Sequence, residues 1–444
     1  MRRFYHLTET NRYLTRFFVK KLILLAVGLS LLFTSTLWAQ GLGNSPYSAL
    51  GLGEVLPSTN VANIGMGGVG VSYASPFYLN SQNPALLARR SRFTIFEIGL
   101  LGQQKAISQL VKNEQLTQRD FGGNLSYLAL AFPLSSRWNT SISLRPYSYI
   151  DYQTRTYGRI DGTIYETQFD YSGRGALNRA SISNGVRLGK NIFVGADASF
   201  IFGNVSSTSD SQVLINSSSD LVVSRINRVS YSDIIWNLGA AWRPSLGKDY
   251  VLNIGATFAP KSNLSGSETD VYQQLLAGRE VSGSDTLRSN SAGKVPLPQH
   301  VQFGVTLEKN NQLAIGVEAG MQSWSQFRTI TDQPGNLRDG LHTAVGIEYT
   351  PKPTSTRYRD LITYRAGFQY NKMPYQVDGV QLTDVNGSLG FSIPVGAYFV
   401  NHINLAFVGG QRGALVGAQV RERYFKVAVG FSLNDWWFRK SVID

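Results

Sequence analysis

The sequence contains no cysteine, few histidines and few charged side chains. Without cysteine, neither a disulfide framework nor a thiolate metal site is possible. Charged residues make up 16% of the 444 residues, whereas an average soluble domain has about 25%. His300, His342 and His402 each stand apart from other metal-ligating residues in the sequence. These absences argue against a metal site and against an ordinary soluble domain.

Motifs that would indicate an enzyme or a nucleotide-binding protein are also missing. No nucleophile elbow occurs in a strand-to-helix setting, and the Gly-Lys pairs are followed by Asn, Asp or Val rather than the Ser or Thr of a phosphate loop. The run Gly65–Gly70 resembles a dinucleotide fingerprint but lacks the strand and helix that such a motif needs. We therefore predict no enzyme activity, no catalytic residue, no cofactor and no metal. The alternative is a barrel enzyme whose active site is assembled from distant strands. His300 and His342 are the only obvious candidates for such a site.

The first 39 residues have the pattern of an export signal. A basic stretch ends at Lys20-Lys21, the apolar run Leu22–Phe33 follows, and small residues lead to a plausible cleavage site after Ala39. The apolar run is shorter than the roughly 20 residues that a spanning helix needs, and no second run of that length occurs. An N-terminal membrane anchor is the alternative. If the protein lies in a membrane, it must cross it with strands.

The basic balance of the chain is moderate once this segment is set aside. The formal net charge is +13, and residues 1–40 hold six Lys or Arg and the single acid Glu9, which leaves +8 for residues 41–444. No Lys/Arg cluster in that part is dense enough for a nucleic-acid footprint. Nucleic acid is therefore not an expected partner.

From Arg92 onward the apolar residues alternate with polar ones at a period of two, which indicates strands. On the final strand, Phe425–Phe431 would place Phe425, Val427, Val429 and Phe431 toward lipid, with Ala428 toward the lumen. Short turns alternate with longer polar links, which is the plan of an outer-membrane barrel. The sequence therefore predicts an all-β transmembrane barrel of about fourteen antiparallel strands over residues 91–444, with both ends on the short-turn side.

Aromatic residues cluster where the predicted strands meet the turns. Their amphipathic rings suit a membrane interface, although aromatics are common in strands generally. The predicted membrane-interface residues are Trp138, Trp242, Trp436, Trp437 and Phe438. The lipid of the outer membrane is thus an expected partner.

Two motifs before the first strand indicate a compact, irregular segment. The first is Gly65-Met66-Gly67-Gly68, whose glycines allow close backbone approach and positive φ. The second is Asn83-Pro84-Ala85, a turn in which Pro84 fixes its own φ and pushes Asn83 out of the helical region. We predict that residues 40–90 form a hatch inside the barrel and that these seven residues control access through it. The same glycines would also serve a permanent plug.

These motifs resemble the FadL/TodX family of outer-membrane transporters for hydrophobic compounds. The glycine run and Asn83-Pro84-Ala85 are similar to that family's N-terminal pattern, and Leu297–Val305 resembles one of its later strands. The opening Ser45–Gly53 and the stretch from Gly410 to Phe438 look more like a Bacteroidetes branch that also includes PorV, a barrel of type IX secretion. The resemblance implies a fourteen-stranded barrel with a hatch and, in known members, a lateral opening in the wall.

Two functions follow as hypotheses. The first is passive transport of hydrophobic small molecules, such as long-chain fatty acids, through a mobile hatch, with Tyr171–Gly175 as a kink in the wall. The second is a non-transporting, PorV-like barrel that binds partner proteins in type IX secretion or outer-membrane assembly. The lumen discriminates between them. An apolar tunnel favours transport, whereas a polar, filled lumen favours a partner-binding barrel.

Overall fold

The computed structural model describes residues 42–89, 93–111, 114–215, 221–276, 279–309, 312–396, 400–417 and 419–435. The predicted signal segment and the aromatic residues Trp436, Trp437 and Phe438 lie outside these residues. Within them, no helix is long and apolar enough to cross a membrane. The strands are β1 (Glu54–Val55), β2 (Thr94–Val111), β3 (Glu114–Pro133), β4 (Trp138–Arg159), β5 (Glu166–Leu188), β6 (Ile192–Leu214), β7 (Leu221–Trp242), β8 (Ser245–Leu246), β9 (Tyr250–Ala259), β10 (Ser262–Leu276), β11 (Arg279–Leu297), β12 (His300–Lys309), β13 (Leu313–Gln322), β14 (Gly340–Tyr349), β15 (Thr363–Val377), β16 (Val380–Val395), β17 (Asn401–Arg412) and β18 (Arg421–Asp435).

These strands form a closed antiparallel barrel of 14 wall strands, as the sequence predicts. β9 and β10 are two halves of one wall strand, and so are β11 and β12, because a proline interrupts each pair (Pro260 and Pro298) and removes a backbone donor. β18 pairs with β2 from Arg421↔Ser108 to Asp435↔Thr94 and closes the wall. Closure leaves the barrel with no open edge where it crosses the membrane.

The pleat of the wall follows the predicted alternation. On β18, Phe425 and Phe431 are 49% and 39% exposed on the outer face, whereas Ala428 is 1% exposed on the inner face. Trp138 and Trp242 lie exposed at strand ends on the short-turn side. The contact of these residues with the membrane interface stays a prediction.

The wall is much taller on one side than on the other. β5 and β6 have 23 residues each, whereas β13 and β14 have 10. Most of the links that the sequence indicates as long loops are in fact hairpins that continue the ladders beyond the membrane. For example, β15 and β16 meet in the tight turn Asp378-Gly379, where both residues have positive φ. These hairpins are polar on both faces because both faces meet water, so the period of two is absent from their sequence.

Two stretches of chain fill places where the wall strands part. β3 pairs with β4 only between Leu128↔Leu144 and Pro133↔Asn139. Above that point the edge of β4 receives β1 and the Ser45 N–H, which donates to the Asp151 carbonyl at 2.8 Å. Residues 323–339, which connect the short strands β13 and β14, fold over the opening of the barrel at the end that carries the long hairpins; we call this opening the mouth. The wall has no opening at the kink predicted for Tyr171–Gly175, because β5 pairs without interruption there on both sides; Gly175 itself has a φ of +145°.

Candidate functional site: the hatch and its seat

The hatch begins with short helical turns rather than the wholly irregular chain that the sequence indicates. Helix α1 (Val61–Gly65) ends at the glycine run, where Gly67 and Gly68 have φ of +68° and +79°. The Gly68 N–H donates to the Asn63 carbonyl at 2.7 Å. Only glycine adopts these angles without strain, so the run reverses the chain immediately after the helix.

The second motif turns the chain toward the first wall strand. The Asn83 side-chain oxygen accepts from the Ala85 N–H at 3.0 Å, and its amide donates to the Val71 carbonyl at 2.7 Å. Pro84 then opens the 3-10 helix Pro84–Arg89. The predicted turn is therefore present, and its asparagine also joins the two motifs, because Val71 directly follows the glycine run.

A ring of glycines on the inner face of the wall receives the hatch. A Cβ added to any of these glycines would lie less than 3.0 Å from hatch atoms. Gly390 faces the Cα of Gly65, and Gly367 faces the backbone of Met66 and Gly67. The other members are Gly185, Gly195, Gly239, Gly255 and Gly346, on five further strands. The hatch therefore packs directly against seven wall strands at positions where a wall side chain would clash with it.

Buried carboxylates fasten the hatch to the wall. Glu318 on β13, 3% exposed, accepts from the backbone N–H groups of Gly70, Val71 and Ser72 at 2.9, 2.7 and 3.0 Å. The Ser72 hydroxyl adds a bond at 3.2 Å. A carboxylate that accepts several backbone N–H bonds satisfies its charge without a cation.

Three further carboxylates act from other strands. Glu97 on β2 accepts from the Leu79 N–H at 2.8 Å and from the Asn60 amide at 2.9 Å. Glu348 accepts from the Tyr73 hydroxyl at 2.7 Å, and Glu308 pairs with Arg89 at 2.8 Å. All four carboxylates are buried, so the low local dielectric strengthens each of these bonds.

A network of opposite charges lies at the level of β1. Arg412 pairs with Glu54 at 2.8 Å, Asp384 at 3.0 Å and Glu422 at 3.6 Å. Burial alone would raise the pKa of Glu54, but Arg412 and Lys105 outweigh it and hold that pKa well below its ordinary value. The first part of the hatch is therefore held by buried ion pairs, which are costly to break on one side only.

Above this network the lumen is closed by an apolar cluster. It joins inward-facing wall residues to the chain before β1 and to residues 323–339; its buried members include Tyr47, Leu52, Leu177, Ile201, Leu264, Val295, Trp324, Phe327, Leu337 and Leu382. A cavity of about 70 Å³ lies at its edge beside Lys261 and Phe327, and one of about 10 Å³ lies between the hatch and Arg365. Both are smaller than the roughly 150 Å³ that accommodates a benzene molecule.

The sequence found the hatch but not its fasteners. All seven predicted hatch residues lie in the segment that fills the lumen, and all seven are buried. They are Gly65, Met66, Gly67, Gly68, Asn83, Pro84 and Ala85. Glu97, Glu318 and Glu348 were not predicted. The sequence feature that could have indicated such residues is a single acid on the inner face of an alternating strand, as at Glu308 and Glu318. Control of access by the seven predicted hatch residues stays a prediction.

Comparison with protein-family models identifies the family of this chain. The model described as BamG matches residues 18–444. The chain belongs to the BamG family. No curated protein sequence matches it.

Solved structures with a similar fold include two toluene transporters and a FadL homologue. The Pseudomonas putida toluene transporter TodX matches with a TM-score of 0.53 and 16% identity over 86% of this chain and 99% of that one. The Ralstonia pickettii toluene transporter TbuX gives 0.53 and 16% over 85% and 98%, and a Pseudomonas aeruginosa FadL homologue gives 0.50 and 15% over 86% and 98%. This BamG-family chain thus has the outer-membrane barrel fold of FadL/TodX channels, and the named structures are channels rather than enzymes. The PorV-like and Bacteroidetes parts of the resemblance stay predictions.

Proposed function

We propose that this BamG-family protein is a sealed outer-membrane barrel that acts as an accessory, partner-binding component of a secretion or outer-membrane assembly machine. The filled lumen is the observation that supports the proposal. Buried carboxylates such as Glu318 hold the hatch at one level. The ion pairs of Arg412 lie above them, and the apolar cluster closes the mouth. A barrel that is closed at three levels is suited to presenting its outer surfaces to partners.

The free energy of the hydrogen bonds between the hatch and the wall argues against a hatch that opens. Freeing it from Glu318, Glu97 and Glu308 would break several hydrogen bonds to buried charges. At about 1.5–3 kcal/mol for each such bond, the total is on the order of 10 kcal/mol. Opening of the hatch therefore carries a large free-energy cost that partner binding does not require.

Transport of apolar small molecules is the second candidate, because the solved structures of this fold are named as toluene transporters. Passage of such a ligand through this barrel requires the hatch to leave its glycine ring and the residues over the mouth to withdraw. Long-chain fatty acids would need a still larger opening. Transport and partner binding therefore differ in whether the hatch must move.

A disulfide lock tests this difference directly. The Ser72 and Thr306 hydroxyl oxygens lie 2.7 Å apart, and the chain has no other cysteine to interfere. In Ser72→Cys/Thr306→Cys, oxidation should tie the hatch to β12. We expect the locked protein to restore the outer-membrane and secreted proteomes of a deletion strain as fully as wild type, with unchanged entry of an apolar dye.

The two single-cysteine variants are the controls for the lock, because each changes the same site without forming the bond. If locking lowers dye entry while both single variants keep it, the hatch moves during transport and the sealed-barrel proposal fails. If the deletion strain loses no outer-membrane or secreted protein, the accessory role fails as well.

A further inference from the structure

The short turns of the barrel carry an arc of exposed basic side chains. These turns share the end of the barrel with Thr94 and Asp435, the first and last residues of the wall, and in outer-membrane barrels that end faces the periplasm. The exposed basic residues are Arg137, Lys190, Lys248, Lys352, Arg357 and Arg359. Among the described residues of these turns, the acids are Asp249 and Asp360. The periplasmic end is therefore distinctly basic.

The opposite end has a different balance. In the described links there, Asp161, Asp332, Asp339 and Asp378 outnumber Arg328 and Arg338. Arg328 also pairs with Asp332 at 3.3 Å, which neutralises part of its field. Among the turns and links, the excess of basic over acidic residues thus lies at the periplasmic end, and a field of one sign attracts partners of the opposite sign.

The longest periplasmic turn, residues 350–362, is a folded loop. The Lys352 N–H donates to the Asp360 carbonyl at 3.0 Å, and the Ser355 hydroxyl donates to the Asp360 carboxylate at 2.7 Å. The Tyr358 hydroxyl donates to the Pro394 carbonyl at 2.8 Å, which ties the loop to β16. The loop therefore holds its shape without a partner, so little ordering entropy is lost on binding.

The exposed side of this loop has the residue types that dominate protein interfaces. Tyr358 is 46% exposed, and Arg357, Arg359 and Lys352 are exposed around it. Tyr and Arg are the residues most often found at interface hot spots, and Arg forms paired hydrogen bonds with carboxylates. We propose that loop 350–362 is the docking site for an acidic segment of a periplasmic protein. The inference rests on the proposed partner-binding function and names the chemistry of one partner.

A protein fits this surface better than a lipid headgroup does. Lipid surrounds a barrel on all sides, whereas the basic arc is interrupted: the next turn, residues 396–400, contains no charged residue. The arc includes the turns that bear Arg137, Lys190 and Lys248, with one basic residue each. It also includes the folded loop, which has three. Its outlying charges steer an acidic partner toward the loop, since rim charges act mainly on the rate of association.

Charge reversal on the loop tests the proposal. The mature protein is placed in phosphatidylcholine nanodiscs and titrated with a fluorescent, glutamate-rich peptide. Arg357→Glu/Arg359→Glu should weaken binding about tenfold or more because two charge-assisted contacts become repulsive. The control Arg119→Glu/Arg159→Glu reverses two exposed arginines at the opposite end and should leave binding unchanged. Binding by the wild type should also weaken as salt is raised.

Equal weakening by both pairs of substitutions would mean that the peptide senses net charge only, and it would overturn the docking site. Absence of peptide binding at low salt would overturn it too. A third contrary result is that the loop variant loses co-purified phosphatidylglycerol while its peptide affinity is unchanged, which would assign the arc to lipid. The titration does not depend on hatch movement, so it can fail while the disulfide lock still supports a sealed barrel.

Discussion

At the scale of single residues, the lumen is organised by acids that no local pattern reveals. Glu318 lies 246 to 248 positions from the backbone groups that it binds. The sequence could predict that its side chain points inward, because alternation has a period of two. It could not predict the partner, since contacts between distant segments leave no local periodic signal.

Replacing Glu318 tests the strongest fastener. Glu318→Ala leaves the N–H groups of Gly70, Val71 and Ser72 buried without an acceptor, and each unsatisfied group costs about 1–3 kcal/mol. We expect a clear fall in the thermal unfolding midpoint of the detergent-solubilised barrel. Glu318→Gln keeps an acceptor oxygen and should fall less. The exposed Glu114→Ala should change nothing, and a loss there equal to that of Glu318→Ala would contradict the assignment.

The lipid face of the final strand gives a second residue-scale prediction. Val429 points outward on β18. Its neighbour Ala428 points inward and belongs to a buried apolar cluster with Val61 of the hatch and Tyr127 of β3. Val429→Arg should cost roughly 2–4 kcal/mol if the residue lies near the membrane midplane. Val429→Leu keeps the face apolar and should be nearly neutral. Equilibrium unfolding in lipid vesicles measures both, and a neutral arginine would place this face away from lipid.

At the scale of elements, the sequence predicted the strands and the hatch but not how they meet. The crossing strands were readable because one face meets lipid and the other meets the lumen. The projecting hairpins were not, because both of their faces meet water and only backbone hydrogen bonds mark them as strands. Glycine composition indicated the hatch, but the matching glycines on the wall, such as Gly367 and Gly390, looked like ordinary strand glycines.

The glycine ring makes a sharp prediction about those wall residues. A Cβ on Gly367 would meet the backbone of Met66 and Gly67, whereas nothing lies within 4 Å of a Cβ on Gly409. Gly367→Ala should therefore lower the thermal midpoint and expose the hatch to protease, since backbone cannot yield as a flexible side chain can. Gly409→Ala, on β17, is the matched control and should behave as wild type. Indistinguishable variants would mean that the hatch is only loosely seated.

At the scale of the whole molecule, the barrel and its hatch are separable in one respect. Apart from the short pairing of β1 with β4 and the flanking bonds from Ser45 and Leu56 to β4, the wall strands form their ladders with one another and not with residues 42–89. Deleting residues 41–89 should therefore leave a barrel that still shows heat-modifiable gel mobility. That barrel should be less stable, since its buried acids lose their partners, and leaky to small solutes in liposome swelling. A deletion that abolishes folding would instead make the hatch essential to the wall.

Hydrogen exchange tests the central claim, that the hatch is permanently seated. The mature protein in nanodiscs is exchanged into deuterated buffer, and peptides from residues 61–89 are compared with those from β17 in the wall and from the exposed link 160–165. The account predicts hatch protection close to that of β17, because the hatch amides are buried and bonded to wall carboxylates. Hatch exchange as fast as that of residues 160–165 would show a mobile gate and contradict the account.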